Sequence, residues 1–120
     1  MKLKHFILNL LLICGLLIHA QTRIQTAKGN TGATTATSYT VTLSSVPQPG
    51  NTLIAVISGR TTTTNNATLS QSNVTWTRAV ARANTADVNT EIFYTTAIGA
   101  NAGTVITITN ASSIRSAGVV

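Results

Sequence analysis

The stretch Thr-Leu-Ile-Ala-Val-Ile-Ser at residues 52–58 decides the fold of this 120-residue chain. Its five central residues are all apolar, so both alternating faces of an extended strand are apolar, and three of the five are β-branched. The run is too short for an amphipathic helix and is typical of a strand in the middle of a sheet, with packing on both faces. It predicts an all-β domain with its central strand at residues 52–58.

Further strand-like runs lie on both sides of this stretch. Tyr39, Val41 and Leu43 alternate with threonines, as in a strand with one buried face, and the Pro-Gln-Pro-Gly turn at 47–50 follows. We predict an antiparallel β-sandwich, jelly-roll-like, with at least five strands. Later strands are predicted at residues 73–80, 89–97, 104–109 and 114–120, the second and third forming a hairpin. The predicted core comprises Leu43, Leu53, Ile54, Val56, Ile57, Trp76, Phe93, Ile106 and Ile108.

The N-terminus carries the pattern of a secretion signal. Lys2 and Lys4 precede an apolar run over residues 6–18, and Ala20 offers the small side chain that signal peptidase requires. The alternative, a retained membrane helix, needs about 20 apolar residues, and this run is shorter. The pattern predicts a signal peptide at residues 1–20 and a secreted or cell-surface protein that leaves the membrane after cleavage.

The remainder divides into a lead-in and a domain. Residues 21–36 are polar and rich in Gly, Thr and Ala without a clear period, which predicts a flexible lead-in. The β-sandwich is predicted at residues 37–120. Because the sequence ends inside the apolar run at 117–120, we expect the domain to be incomplete, with Val119 and Val120 pairing or continuing downstream, and with further domains of the same protein following.

Several of these segments resemble a loose group of bacterial extracellular and phage-associated β-sandwich domains. The similar segments are Val-Pro-Gln-Pro-Gly-Asn-Thr-Leu-Ile-Ala-Val at 46–56, Trp76-Thr77, and Ile-Phe-Tyr-Thr-Thr-Ala at 92–97. The resemblance, over about residues 37–120, implies a jelly-roll-like module in a larger secreted protein, and it implies no catalytic or ligand residue. The signal ending Ala20-Gln21 likewise resembles bacterial secretory signals.

The composition beyond residue 20 excludes most site chemistry. That part of the chain has no His or Cys and has only two acids, Asp87 and Glu91, so neither a nucleophile–histidine set nor a zinc site can form. We therefore expect no enzyme activity, no cofactor and no metal. Six basic residues give a net charge of +4 without a basic run, so we expect no nucleic-acid partner.

Four residues are candidates for ligand binding. Trp76 could stack on a sugar ring, although a domain with so few aromatic residues also needs its Trp in the core. Arg60, Thr62 and Asn65 belong to a polar loop that could present donors and acceptors to a ligand, or could be an ordinary connecting loop.

Asp87, Asn89 and Glu91 alternate along the chain and would share one face of a strand. Their oxygens could bind Ca²⁺. The simpler interpretation, which we favour, is a solvated start to a strand.

Two functions follow from these features. The first is a non-catalytic extracellular module that binds glycans or a cell-surface partner, as in adhesion, through its polar loops. The second is a structural spacer in a larger extracellular protein, which the scarcity of aromatic and charged residues favours.

Overall fold

The computed structural model describes residues 23–84, 87–96 and 98–120, so the predicted signal peptide at 1–20 lies outside the described residues. Within those ranges the chain forms strands and loops without a helix, and therefore without a helix capable of crossing a membrane. The eight strands are β1 (Lys28–Asn30), β2 (Ala36–Thr42), β3 (Ile54–Gly59), β4 (Thr68–Gln71), β5 (Thr77–Asn84), β6 (Val88–Tyr94), β7 (Val105–Ile114) and β8 (Ser116–Val119).

The strands form two antiparallel sheets that pack together as a sandwich. One sheet has five strands in the order β1-β8-β3-β6-β5, and the other has three in the order β2-β7-β4. The prediction of an all-β antiparallel sandwich is confirmed, and β3 lies at the centre of the larger sheet as the sequence predicted. The jelly-roll description stays a prediction.

The core fills the space between the sheets with alternate residues of each strand. Val41 of β2, Ile57 of β3, and Ile106 and Ile108 of β7 are completely buried, with Leu43, Leu53 and Phe93 nearly so. Tyr39 reaches across the core, where its hydroxyl lies 3.2 Å from Ser116 Oγ. Burial raises the pKa of Tyr39, and the hydrogen bond to Ser116 only partly opposes that rise.

Two predicted core residues are exposed. Ile54 is 59% and Val56 37% exposed, because they lie on the outer face of β3, opposite the inward Ala55 and Ile57. Strand register aligns Val56 with Val119 of β8 on one side and with Ile92 of β6 on the other, and Ile92 with Val80 of β5. These four side chains form an outer apolar row across the larger sheet. No described residue packs a second layer over it.

The predicted lead-in contains a strand of the sandwich. Lys28–Asn30 form β1, which pairs with β8, so the sandwich begins before residue 37. The strand is too short and too polar to show an alternating pattern. Its central Gly29 packs against the backbone of β2, where a Cβ atom would overlap the Thr40 carbonyl oxygen. The strand β1 can pack at the edge of the larger sheet because Gly29 has no side chain, and not because it carries a hydrophobic one.

The predicted hairpin between residues 89–97 and 104–109 is wrong. The strand β6 pairs with β3 and β5 in the larger sheet, whereas β7 pairs with β2 and β4 in the smaller one. The connection between them therefore crosses from one sheet to the other, with buried Ile98 held by backbone hydrogen bonds to Gly50 and Asn51. The strand predicted at 73–80 begins later, at Thr77.

The strand β8 pairs on both sides with strands earlier in the chain. Val119 lies opposite Lys28 of β1 and Val56 of β3, so the pairing partners expected downstream lie upstream instead. Arg115 alone separates β7 from β8, so the chain passes between the sheets there without a loop.

Candidate functional site

Asn65 fixes the loop that carries the chain from β3 to β4. Its side chain donates a 2.7 Å hydrogen bond to Asn110 Oδ1 and accepts one of 3.2 Å from the backbone of Ala111. Asn65 is only 3% exposed, so its side chain lies inside the sandwich, and its role as a ligand residue stays a prediction. Both partners lie on β7, and they satisfy the hydrogen-bonding groups that a buried amide must not leave unpaired.

Glu91 is a buried carboxylate, and the prediction of a solvated strand start is wrong for it. Its side chain has no exposed surface and forms an ion pair of 3.2 Å with Arg78 Nη1. Its other oxygen accepts a hydrogen bond of 3.2 Å from the Ala67 backbone. Glu91 therefore connects β5, β6 and the loop before β4. A buried carboxylate requires such partners, since an unpaired one is very costly.

Asn89 is also fully buried, whereas Asp87 is exposed. The amide nitrogen of Asn89 donates to the Arg82 carbonyl at 3.2 Å, and its Oδ1 has no hydrogen-bond partner among the described residues. The alternative of three oxygen ligands on one strand face is not formed, because Asp87 lies apart in a turn with a φ of 84°. Across the described ranges, no cluster of three or more acidic, His or Cys side chains could hold a metal ion.

An opening lies between the edge strands of the two sheets, β4 and β5, and we call it the Trp76 cleft. It has a volume of about 530 Å³ and is lined by Asn66, Ala67, Thr68, Leu69, Trp76, Arg78 and Phe93. The cleft exists because β4 ends the smaller sheet and β5 ends the larger one, so no strand of the described residues closes this side.

Arg78 is held in place at the wall of the cleft. Its Nη1 donates to Glu91 Oε2 at 3.2 Å and to Asn66 Oδ1 at 3.1 Å, while 41% of the side chain stays exposed. Asn66 adopts a φ of 52°, a left-handed conformation that Asn tolerates better than most residues. The guanidinium is thus fixed on one side and open to solvent on the other.

Trp76 contributes to both the core and the cleft. Its ring is partly buried and packs against the core, and its Nε1 donates a 3.2 Å hydrogen bond to Gln71 Oε1. Gln71 in turn donates to the Gly103 carbonyl at 2.7 Å. The two interpretations of Trp76 from the sequence are therefore compatible, since one part of the ring supports the fold and another lines the opening.

The remaining candidates lie elsewhere. Thr62 is exposed in the loop after β3, and Arg60 lines a separate groove together with Arg115. The four predicted residues therefore do not form one site.

Three residues of the cleft, Asn66, Thr68 and Arg78, were not predicted from the sequence. A signal for Arg78 was present, because it interrupts an apolar pattern and Glu91 lies in phase with Phe93. A basic and an acidic residue on inward-facing positions of neighbouring strands indicate an internal ion pair.

No family model matches the chain, and neither a curated protein nor a solved structure matches it.

Proposed function

We propose that this protein is a secreted, non-catalytic β-sandwich module that binds carbohydrate in the Trp76 cleft. The observation that carries the proposal is the meeting of four kinds of side chain in one opening. An indole ring, a guanidinium, an amide and a hydroxyl, from Trp76, Arg78, Asn66 and Thr68, line the space between two edge strands.

The chemistry of the lining suits a sugar. A sugar ring has apolar C–H faces and hydroxyl groups that both donate and accept hydrogen bonds. Trp76, Leu69 and Phe93 supply apolar surface, while Arg78 supplies donors and Asn66 supplies both a donor and an acceptor. Ligand sites commonly combine an apolar lining with a few fixed polar groups in volumes of about 300–1,000 Å³.

The polar groups of the cleft are held before any ligand arrives. Arg78 is fixed by Glu91 and Asn66, and the neighbouring Asn65 ties the same loop to β7. Binding then costs less side-chain entropy than it would with a mobile arginine. This rigidity supports recognition, and the lack of His and Cys beyond residue 20 supports binding without catalysis.

The test is a glycan array together with binding to whole cells, using the wild-type protein and variants of the cleft. We expect Asn66→Gly, which keeps the left-handed backbone available, and Trp76→Phe, which keeps a ring in the core, each to weaken binding at least about tenfold. Thr62→Ala, on the exposed loop outside the cleft, is the matched control and should bind as wild type does.

Thermal unfolding of each variant separates lost binding from lost folding. If the folded wild-type protein binds neither glycans nor cells above background, the proposal is wrong. If Thr62→Ala weakens binding as much as the cleft variants do, the ligand lies elsewhere.

A structural spacer is the second candidate, and the outer apolar row favours it. The row lies on the outside of the larger sheet and consists of Val56, Val80, Ile92 and Val119 side by side. An exposed apolar row of this kind is typical of a sheet face that packs against a neighbouring β-domain. A spacer predicts that no ligand binds and that Val56→Thr leaves the isolated protein as stable as before.

A further inference from the structure

Two arginines lie next to each other at one end of the larger sheet. The backbone N–H of Arg60 donates a 2.8 Å hydrogen bond to the carbonyl of Arg115, directly after the registered pair Gly59 and Ser116. This hydrogen bond and the registered pair beside it place Arg60 and Arg115 next to each other just beyond the paired residues of β3 and β8. Both arginines are exposed, and both line one groove of about 540 Å³. We call this the arginine groove.

The pairing is unfavourable for the protein alone. Like charges directly opposite each other on neighbouring strands destabilise a sheet. Among the described residues the only ion pair joins Arg78 to Glu91, on the inner side of the sheet, and neither Arg60 nor Arg115 has a side-chain hydrogen bond. Asp87 also lines the groove but lies beyond ion-pair distance from both arginines. The groove therefore keeps a net positive charge.

The other polar groups of the groove also favour an acceptor ligand. The Asn30 side chain, which lines the groove, uses its oxygen to accept a 2.7 Å hydrogen bond from the Gly32 backbone, so its amide N–H groups remain available as donors. Two guanidinium forks and an amide are donors that match a planar carboxylate or a sulfate.

We infer that the arginine groove binds the carboxylate or sulfate groups of an acidic polysaccharide. Such an anion would lie between Arg60 and Arg115 and remove their mutual repulsion. None of the described residues that line the groove is aromatic, whereas single-stranded nucleic acids are bound largely by stacking on aromatic rings. This site lies apart from the Trp76 cleft and does not depend on the function proposed there.

The test measures retention of the wild-type protein on four matrices, which carry a sulfated polysaccharide, a polyuronate, neutral dextran and single-stranded DNA. We expect retention on one or both acidic polysaccharides that falls as salt rises, and none on dextran. Retention on DNA as strong as on the polysaccharides would overturn the inference, as would no retention on either acidic polymer. The two acidic arms decide between sulfate and carboxylate.

Matched variants separate a site from general attraction by the positive charge. Arg60→Gln and Arg115→Gln should each weaken binding about tenfold or more, whereas Arg82→Gln, which removes one charge from β5 of the same sheet, should change it less than threefold. Equal losses for all three variants would overturn the site.

A second measurement uses the unliganded protein. Because Arg115→Gln removes the repulsion, its melting temperature should equal or exceed that of the wild type in chloride. Sulfate at matched ionic strength should raise the melting temperature of the wild type more than that of the variant. A melting temperature that sulfate raises equally in both proteins would contradict the inference.

Discussion

The ion pair between Arg78 and Glu91 allows a quantitative test of what stabilises the side of the sandwich between the edge strands β4 and β5. Glu91 is completely buried, so Arg78→Met leaves a buried carboxylate whose remaining partner is the backbone N–H of Ala67. Breaking a fully buried ion pair in this way costs about 3–5 kcal/mol. Because 41% of the Arg78 side chain is exposed, water reaches the pair, and we expect the lower end, about 3 kcal/mol.

The converse substitution is milder. Glu91→Gln removes the buried charge, keeps the shape of the side chain and keeps an oxygen to accept from Ala67, so we expect a cost of about 1–2 kcal/mol. In the double variant no buried charge is left without its partner. The free energy of unfolding that the double variant loses should therefore be smaller, by about 2 kcal/mol, than the sum of the losses in the two single variants.

The assay is equilibrium unfolding in urea, with the free energy of unfolding compared at an unchanged m-value. Arg82→Met is the control, because this exposed arginine of β5 is in no ion pair, and we expect a change within about 0.5 kcal/mol. The ion pair does not stabilise this side of the sandwich if Arg78→Met costs no more than Arg82→Met. The same conclusion follows if the costs of Arg78→Met and Glu91→Gln simply add in the double variant.

Three further predictions concern the core, the loop after β3 and the first strand. Burial raises the pKa of Tyr39 above its ordinary 10.0, so its contribution to the free energy of unfolding should be fully present below pH 10. Above pH 10 that contribution should fall by up to about 1.4 kcal/mol per pH unit. The urea midpoints of Tyr39→Phe, measured between pH 8 and 11, should lack this additional slope. Asn65→Ala leaves buried polar partners unsatisfied and should cost about 2–3 kcal/mol in urea unfolding, with Thr62→Ala near zero; equal costs would contradict the buried position. Gly29→Ala should lower the melting temperature because its Cβ meets the backbone of β2, whereas Gly99→Ala, with no atom nearby, should not.

The period of the sequence predicted the strands well but not the environment of their faces. The run at 52–58 forms the central strand β3 because alternating apolar residues fit a sheet on either face. Whether a face meets the core or water depends on the second sheet, which covers the Ala55 side only. Ile54 and Val56 are therefore exposed, although the local sequence around them is that of a doubly covered strand.

The environments of the candidate site residues were still harder to predict, because their partners are distant in sequence. Asn65 is buried because of Asn110, which lies 45 residues away, and Glu91 because of Arg78 on the next strand. Trp76 was the one candidate that the structure places in the cleft, since its size and scarcity singled it out without knowledge of its neighbours. The pairing of Arg60 with Arg115 follows from the direct connection of β7 to β8, which no local pattern reveals.

The pairing of β1 with β8 has a mechanical consequence. Ala27 and Val120 exchange two backbone hydrogen bonds of 2.8 Å, because β1 begins and β8 ends at the same end of the sheet. A tensile force transmitted along the polypeptide would therefore open the strands like a zipper, breaking one pair of hydrogen bonds at a time. Strands loaded in this direction separate at far lower force than strands pulled lengthwise past each other, because the bonds fail in sequence rather than together. Under tension, β1 should detach before the rest of the sandwich yields, and the chain would lengthen by a short, reversible step.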